Sequence, residues 1–189
     1  MPENLTCMCT KYCYMKNILI CIFLVQAIAA SAQTNKPVAP TLKSILLSQL
    51  KSTHNQKEWF VPVNIALDGL TPEQAMWKDS SGNHSIGQLT SHLIFWNQQQ
   101  LSKFKGEKPA AFDGNNEETF ASFNKNSWKA TVEKLDKLLT DWETAISQAS
   151  ETTLQSWYAT IAHISTHNAY HIGELGILRQ VMEAWPNQD

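Results

Sequence analysis

The chain has 189 residues, of which 43% are hydrophobic, 10% aromatic and 17% charged, a composition that excludes extensive disorder and suits one globular domain. Its 15 Lys and Arg residues are balanced by 17 Asp and Glu residues, so it lacks the basic excess that binding to a phosphate backbone requires. We therefore expect no nucleic-acid partner.

The N-terminal region is predicted to be an export signal. Residues 15–32 combine a charged start, a short apolar run and the cleavage motif Ala30-Ser31-Ala32, the pattern of a secretory signal peptide. The apolar run is broken at Gln26 and is shorter than the ~20 residues that a bilayer span requires. We predict cleavage after Ala32, a periplasmic or secreted location and no stable membrane anchor in the mature protein.

The segments on either side of this signal are assigned by the same reasoning. A signal peptide begins near its methionine, so residues 1–14 are predicted to be an upstream extension that precedes the true start at Met15. Residues 33–40 are polar and contain proline, which is typical of a flexible lead-in. All four cysteines lie in the first 21 residues, so a chain cleaved after Ala32 has neither disulfides nor thiolate metal sites. Residues 41–189 form the predicted domain.

The first part of this domain is predicted to be helical. Apolar residues follow helical spacing from Leu42 and recur as far as Trp59, and Pro62 is expected to end or kink this helix. Residues 63–70 are predicted to continue it as a second segment. The sequence from Thr71 to Gln74 then has the cap, the proline and the acidic residue of a short helix start.

Three more long helices follow. Ser85 and Gln88 fit a capping box that opens the second main helix, and a long connection, residues 105–126, comes after it. The third helix is expected after Ser127 and the last over residues 152–182. No stretch alternates with period two for long enough to predict a strand. These elements predict an all-α four-helix bundle, in which a site is built from side chains on facing helices.

Three of the six histidines lie on the last predicted helix. His163, His167 and His171 repeat every four residues, so neighbouring rings lie about 6 Å apart along the axis and either adjacent pair can bind one cation. The outer two are separated by about 12 Å of rise, so all three do not easily serve a single ion. The spacing alone leaves both pairs open.

The second main helix contains a candidate for a third ligand, His92. His92 lies there among apolar residues and, taken alone, is better interpreted as a core histidine bonded to a backbone or hydroxyl group. With a pair from the last helix, it predicts a three-His site with a position left for water, as in catalytic zinc sites. Glu174 is predicted either to orient a ligand or act as general base, or to pair with a surface lysine. His54 and His84 are predicted to be solvated, with a place at the mouth of the site as the alternative for His84.

Two motifs on these helices resemble a known family. Residues 85–93 read SIGQLTSHL and residues 167–175 read HNAYHIGEL, and Leu178-Arg179 and Trp185-Pro186 follow. Together, over roughly residues 42–186, they resemble the DinB-like superfamily, which includes the YfiT-like metal-dependent hydrolases.

The resemblance implies an up-down-down-up four-helix bundle and a divalent metal, usually zinc or nickel. Carried over onto this sequence, it implies His92, His167 and His171 as the metal ligands and leaves His163 as a bystander. Glu174 stands where many members have Gln, so its effect on metal preference and its role as a catalytic base are both open.

The function predicted from these features is that of an exported metal-dependent enzyme of the hydrolase or thiol-transferase type, with an unidentified small-molecule substrate. Some members of the family use low-molecular-weight thiols, but export counts against a cytosolic thiol cofactor. The alternatives are a non-catalytic metal or small-ligand binding protein of the periplasm and an interaction module without metal. Pocket walls are predicted at Trp96, Tyr170 and residues 106–116. An apolar bundle face is compatible with a homodimer.

Overall fold

The computed structural model describes residues 39–78, 80, 82–121 and 125–185. In these ranges the chain is all-α, as predicted, and contains no strand. The predicted upstream extension (1–14), the predicted signal peptide (15–32) and residues 33–38 of the predicted lead-in lie outside the described residues. Among the helices that the structure does describe, none combines the length and the apolar character needed to span a bilayer.

Four long and two short α-helices make up the described part of the chain. In chain order they are α1 (Leu42–His54), α2 (Val63–Leu67), α3 (Pro72–Met76), α4 (Ile86–Phe104), α5 (Trp128–Gln148) and α6 (Glu151–Val181). The long connection between α4 and α5 also contains two 3-10 turns, Asn116–Thr119 and Lys125–Ser127.

Capping boxes set the starts of the predicted helices. Ser85 Oγ accepts a hydrogen bond from the Gln88 backbone N–H, and Gln88 Oε1 accepts one from the Ser85 N–H. Thr71 and Gln74 form the same reciprocal pair at the start of α3. Each box satisfies two backbone donors that a helix start otherwise leaves unpaired. The box at Ser85 therefore determines where α4 begins and, seven residues later, where His92 lies.

The first helix is shorter than predicted. Helix α1 ends at His54, with Asn55 as its C-cap, and the prediction of helical spacing as far as Trp59 is wrong. Residues 55–58 are all polar and exposed, so a longer helix would have no apolar face to bury. The Trp59 side chain is 99% exposed and adds nothing to the core.

The four long helices enclose one core. Helices α1 and α4 each pack against both α5 and α6. Phe104, at the end of α4, stacks edge-on against Trp157, near the start of α6, while His92 lies beside His171 further along α6. Helices α4 and α6 are thus antiparallel, whereas the up-down-down-up topology of the whole bundle stays a prediction. The largest apolar side chains of this core that are less than 2% exposed are Leu50, Ile86, Leu93, Leu101, Leu135, Trp142, Ile146, Leu154, Ile161 and Leu175.

A buried amide pair sets the register between α4 and α6. Asn97 Nδ2 donates to Asn168 Oδ1 at 2.7 Å, and Asn168 Nδ2 donates back to Asn97 Oδ1 at 3.2 Å. The Trp142 indole N–H of α5 donates to the Asn97 carbonyl. Such buried amides are tolerated because they are hydrogen-bonded, and their bonds form only in one register. Asn168 adjoins His167, so the same pair positions the histidines of the two helices.

Arg179 attaches the short helix α2 to α6. This residue, the only arginine of the chain, is 1% exposed, and its guanidinium donates to the carbonyls of Ile65, Ala66, Asp68 and Ala184. Carbonyls at a helix end lack partners within the helix, and a guanidinium satisfies several of them at once.

Candidate metal centre

Three histidines from α4 and α6 converge in the bundle. His92, His167 and His171 each offer a ring nitrogen, and these atoms all lie within 4.8 Å of one another. The Nε2 atoms of His92 and His167 are 3.1 Å apart, and the His171 ring centroid is 4.6 Å from each of the other two. Zinc–nitrogen bonds of about 2 Å bring ligand nitrogens to within about 4 Å of one another, so this group could hold one divalent cation.

Burial keeps two of these rings neutral. Burial, followed by the charges of His171 and His167, lowers the pKa of His92 to about 3. Burial and the charge of His171 lower the pKa of His167 to about 4. A neutral imidazole has a lone pair on one nitrogen, which is the form that binds a metal. In addition, the buried Nδ1 atom of His167 has no hydrogen-bond partner in the described part of the chain.

His92 is held by residues of the long connection. Its Nδ1 atom lies 2.5 Å from Thr119 Oγ1, and its ring is stacked on that of Phe120 at a centroid distance of 4.0 Å and an angle of 6°. The sequence reasoning missed both residues. The only local signal was the turn signature around Asn115, whose side chain accepts from the Glu117 N–H at the start of the 3-10 turn.

Glu174 contacts one of the three histidines. Its Oε2 atom accepts a hydrogen bond from His171 Nδ1 at 2.6 Å, and its side chain is 38% exposed. A carboxylate behind a histidine is the arrangement that orients metal-binding imidazoles. Glu174 also raises the pKa of Tyr170, mainly by its charge. The contact with His171 supports the predicted role of Glu174 in orienting a ligand, and its role as a general base stays a prediction.

The three remaining histidines lie outside the cluster. His163 is exposed on α6. The prediction that His54 is solvated is wrong: it is 2% exposed, with Nδ1 at 2.6 Å from Glu143 and Nε2 at 2.9 Å from Asp136. The same prediction is wrong for His84, which is half-buried and stacked on Phe120 at 3.7 Å. Both errors have one cause, since the covering residues are far away in sequence.

The residues predicted as pocket walls lie beside the histidines. Trp96 meets His92 edge-on at 6.4 Å between ring centroids, and Phe112 of the long connection lies 5.4 Å from Trp96. Tyr170 is 4.9 Å from His171 and 65% exposed. A cavity of about 340 Å³ is lined in part by His84 and Glu174. Aromatic rings and an accessible carboxylate thus surround the cluster.

Comparison with known proteins gives one match. A protein-family model described as DinB superfamily matches residues 63–175, a range that contains the three converging histidines and Glu174. No curated protein and no solved structure matches the chain.

Proposed function

Because the chain belongs to the DinB superfamily, a metal-binding family, we propose that it is an exported metal-dependent enzyme of the hydrolase or thiol-transferase type. One observation supports this most directly, the convergence of His92, His167 and His171 from two antiparallel helices. These three histidines are the proposed ligands of one divalent cation, with zinc or nickel as the preferred ions.

The side chains fit such an ion. Imidazole nitrogens suit zinc and nickel, and two of the three rings are neutral because their pKa values lie near 3 and 4. Three protein ligands leave a position for water or substrate, which is the pattern of catalytic rather than structural zinc.

In the proposed site the ion would activate a bound water or thiol, and the protein side chains would position the ligands and accept a proton. A zinc or nickel ion lowers the pKa of a water or thiol that it binds. Glu174 holds His171 through Nδ1 and is also the accessible carboxylate of the 340 Å³ cavity, where it can take a proton from a bound small molecule. Trp96 lies edge-on to His92 and contacts Phe112 of the long connection, so aromatic rings lie on the His92 side of the cluster.

Export is the second part of the proposal. It is supported by the signal-peptide pattern of residues 15–32, with cleavage after Ala32. A site built from imidazoles also suits an oxidising compartment, because it has no thiolate to be oxidised. N-terminal sequencing of the protein recovered from the periplasm or the medium is expected to begin at Gln33. A mature protein retained in the cytoplasm with residues 15–32 intact would contradict export.

The decisive experiment is elemental analysis of protein purified without a metal-affinity resin. We expect about one equivalent of metal per chain, as for a single three-His site, and a large loss in His92→Ala and His171→Ala. His163→Ala is the matched control, because it removes an exposed histidine from the same helix. Metal with turnover of hydrolase or thiol-transfer substrates would confirm the proposal. Metal without turnover would favour a periplasmic binding protein, and absence of metal after titration with zinc, nickel and manganese would overturn it.

A further inference from the structure

We propose that Thr119 and Phe120, in the connection between α4 and α5, are positioning residues that prepare His92 to bind the metal. Thr119 selects the tautomer of the ring, and Phe120 sets its plane. This inference rests on the proposed function, because it takes His92 as a metal ligand. It gives a role to a segment in which the sequence shows no helical periodicity.

The tautomer follows from counting protons around Thr119. Its hydroxyl is buried and lies 2.6 Å from the Asn116 carbonyl oxygen and 2.5 Å from His92 Nδ1. A carbonyl only accepts, so the single hydroxyl proton is donated to Asn116. The Thr119 oxygen must then accept from a protonated His92 Nδ1. The lone pair of His92 is therefore on Nε2, the atom that lies 3.1 Å from His167 Nε2 within the cluster.

The ring plane follows from a stack of three nearly parallel rings. Phe120 lies between His84, at 3.7 Å and 3°, and His92, at 4.0 Å and 6°. The Phe120 carbonyl accepts a hydrogen bond from Gln88 Nε2, and Gln88 belongs to the capping box of α4. The start of α4 therefore holds the segment that orients His92 later in the same helix.

The three proposed ligands differ in the hydrogen-bond partner of their Nδ1 atom. His92 is oriented by Thr119, and His171 donates its Nδ1 proton to Glu174. The Nδ1 atom of His167 has no such partner among the described residues. Residues behind a metal-binding histidine typically contribute 10–100-fold to metal affinity. The long connection is thus expected to contribute to affinity through His92 as Glu174 does through His171.

Two measurements on the full chain test this inference. In metal-free protein with ¹⁵N-labelled histidine, long-range ¹⁵N–¹H correlation spectra report which nitrogen of His92 carries the proton. Zinc affinity is then measured by competition with a chelator. We expect the Nδ1–H tautomer in the parent, and in Thr119→Val a mixture of tautomers and an affinity lower by about 10–100-fold. Thr119→Ser keeps the hydroxyl group, so it is expected to keep the Nδ1–H tautomer of His92 and the zinc affinity of the parent.

The matched control is Thr90→Val. Thr90 is a fully buried threonine of α4 whose hydroxyl donates to the Ile86 carbonyl, so the substitution removes a comparable buried hydroxyl. We expect it to reduce stability without changing zinc affinity. Phe120→Leu keeps an apolar side chain but removes the flat face, and a smaller loss of affinity than in Thr119→Val is expected.

An Nε2–H tautomer of His92 in the parent would overturn the inference. Zinc affinity in Thr119→Val equal to that of the parent or of Thr90→Val would overturn it as well. If the parent binds no zinc at all, the proposed function fails, while the tautomers of the parent, Thr119→Val and Thr119→Ser still decide whether Thr119 positions His92.

Discussion

His54 and His92 are buried to nearly the same degree, 2% and 3% exposed, but their ring nitrogens have different partners. His54, at the end of α1, has a carboxylate on each ring nitrogen, Glu143 at 2.6 Å and Asp136 at 2.9 Å. His92, in α4, has a hydroxyl on one nitrogen and another histidine beside the other. The residue type and its burial are the same, and only the neighbours differ.

This difference separates a structural histidine from a candidate ligand. The two carboxylates face both ring nitrogens of His54, and these contacts join α1 to α5. Around His92 burial lowers the pKa to about 3, and Nε2 faces the other proposed ligands. Burial alone therefore does not identify a metal-binding histidine, whereas a ring nitrogen that faces other histidines does.

The largest effect on zinc affinity is expected from substituting the buried histidine of each region in turn. Losing a residue that only supports a metal ligand typically weakens metal binding by up to about 100-fold. His92→Ala removes a proposed ligand itself, so it is expected to weaken zinc binding by more than that. His54→Gln is expected to leave zinc affinity unchanged. Chelator competition measures both. An equal loss of affinity in the two variants would show that the comparison is mistaken.

Zinc is expected to stabilise the parent by mass action. At a free zinc concentration 100 times the Kd, binding to the folded state alone adds about 2.7 kcal/mol to the free energy of unfolding. Urea denaturation with and without zinc measures this increment. His54→Gln is expected to show a lower baseline with the same increment, and His92→Ala almost no increment. An undiminished increment in His92→Ala would place the zinc elsewhere.

The carboxylates around His54 are expected to matter for stability in proportion to their burial. Glu143 is 17% exposed, so Glu143→Gln leaves a buried ring nitrogen poorly paired and should lower the free energy of unfolding by about 1–3 kcal/mol. Asp136 is 62% exposed, so Asp136→Asn should cost less than about 1 kcal/mol. Urea unfolding at pH 7 compares them, and a larger loss in Asp136→Asn would contradict this ranking.

The smallest effect is expected at His163, which belongs to neither region. Because it is exposed on α6, His163→Ala should change the free energy of unfolding by less than about 0.5 kcal/mol and leave zinc affinity at the parental value. The same urea and chelator titrations apply. A clear fall in zinc affinity would extend the site one turn along α6, to the other pair that the four-residue spacing allows.

Features that depend on neighbouring residues were predictable. The cap at Thr71, the capping box at Ser85 and the start of α5 follow from local hydrogen bonding and helical spacing. Helical spacing places His167 on one face with both His163 and His171. The two motifs that resemble the family then imply His171 as its partner and add His92. The errors at the histidines concern distant partners: His54 is covered by residues 82 and 89 positions away. Thr119, 27 residues from His92, lies in a connection without periodicity.

The sequence by itself determined where the long helices start, the shared face of His167 and His171 and, through two motifs, the DinB superfamily, because these depend on short-range backbone geometry and residue order. Only the tertiary structure decided which nitrogen of His92 is free, which carboxylates cover His54 and which residues support each proposed ligand. Those contacts join segments that are far apart in the chain, and their geometry is set by the packing of the helices and by the register of the Asn97–Asn168 pair.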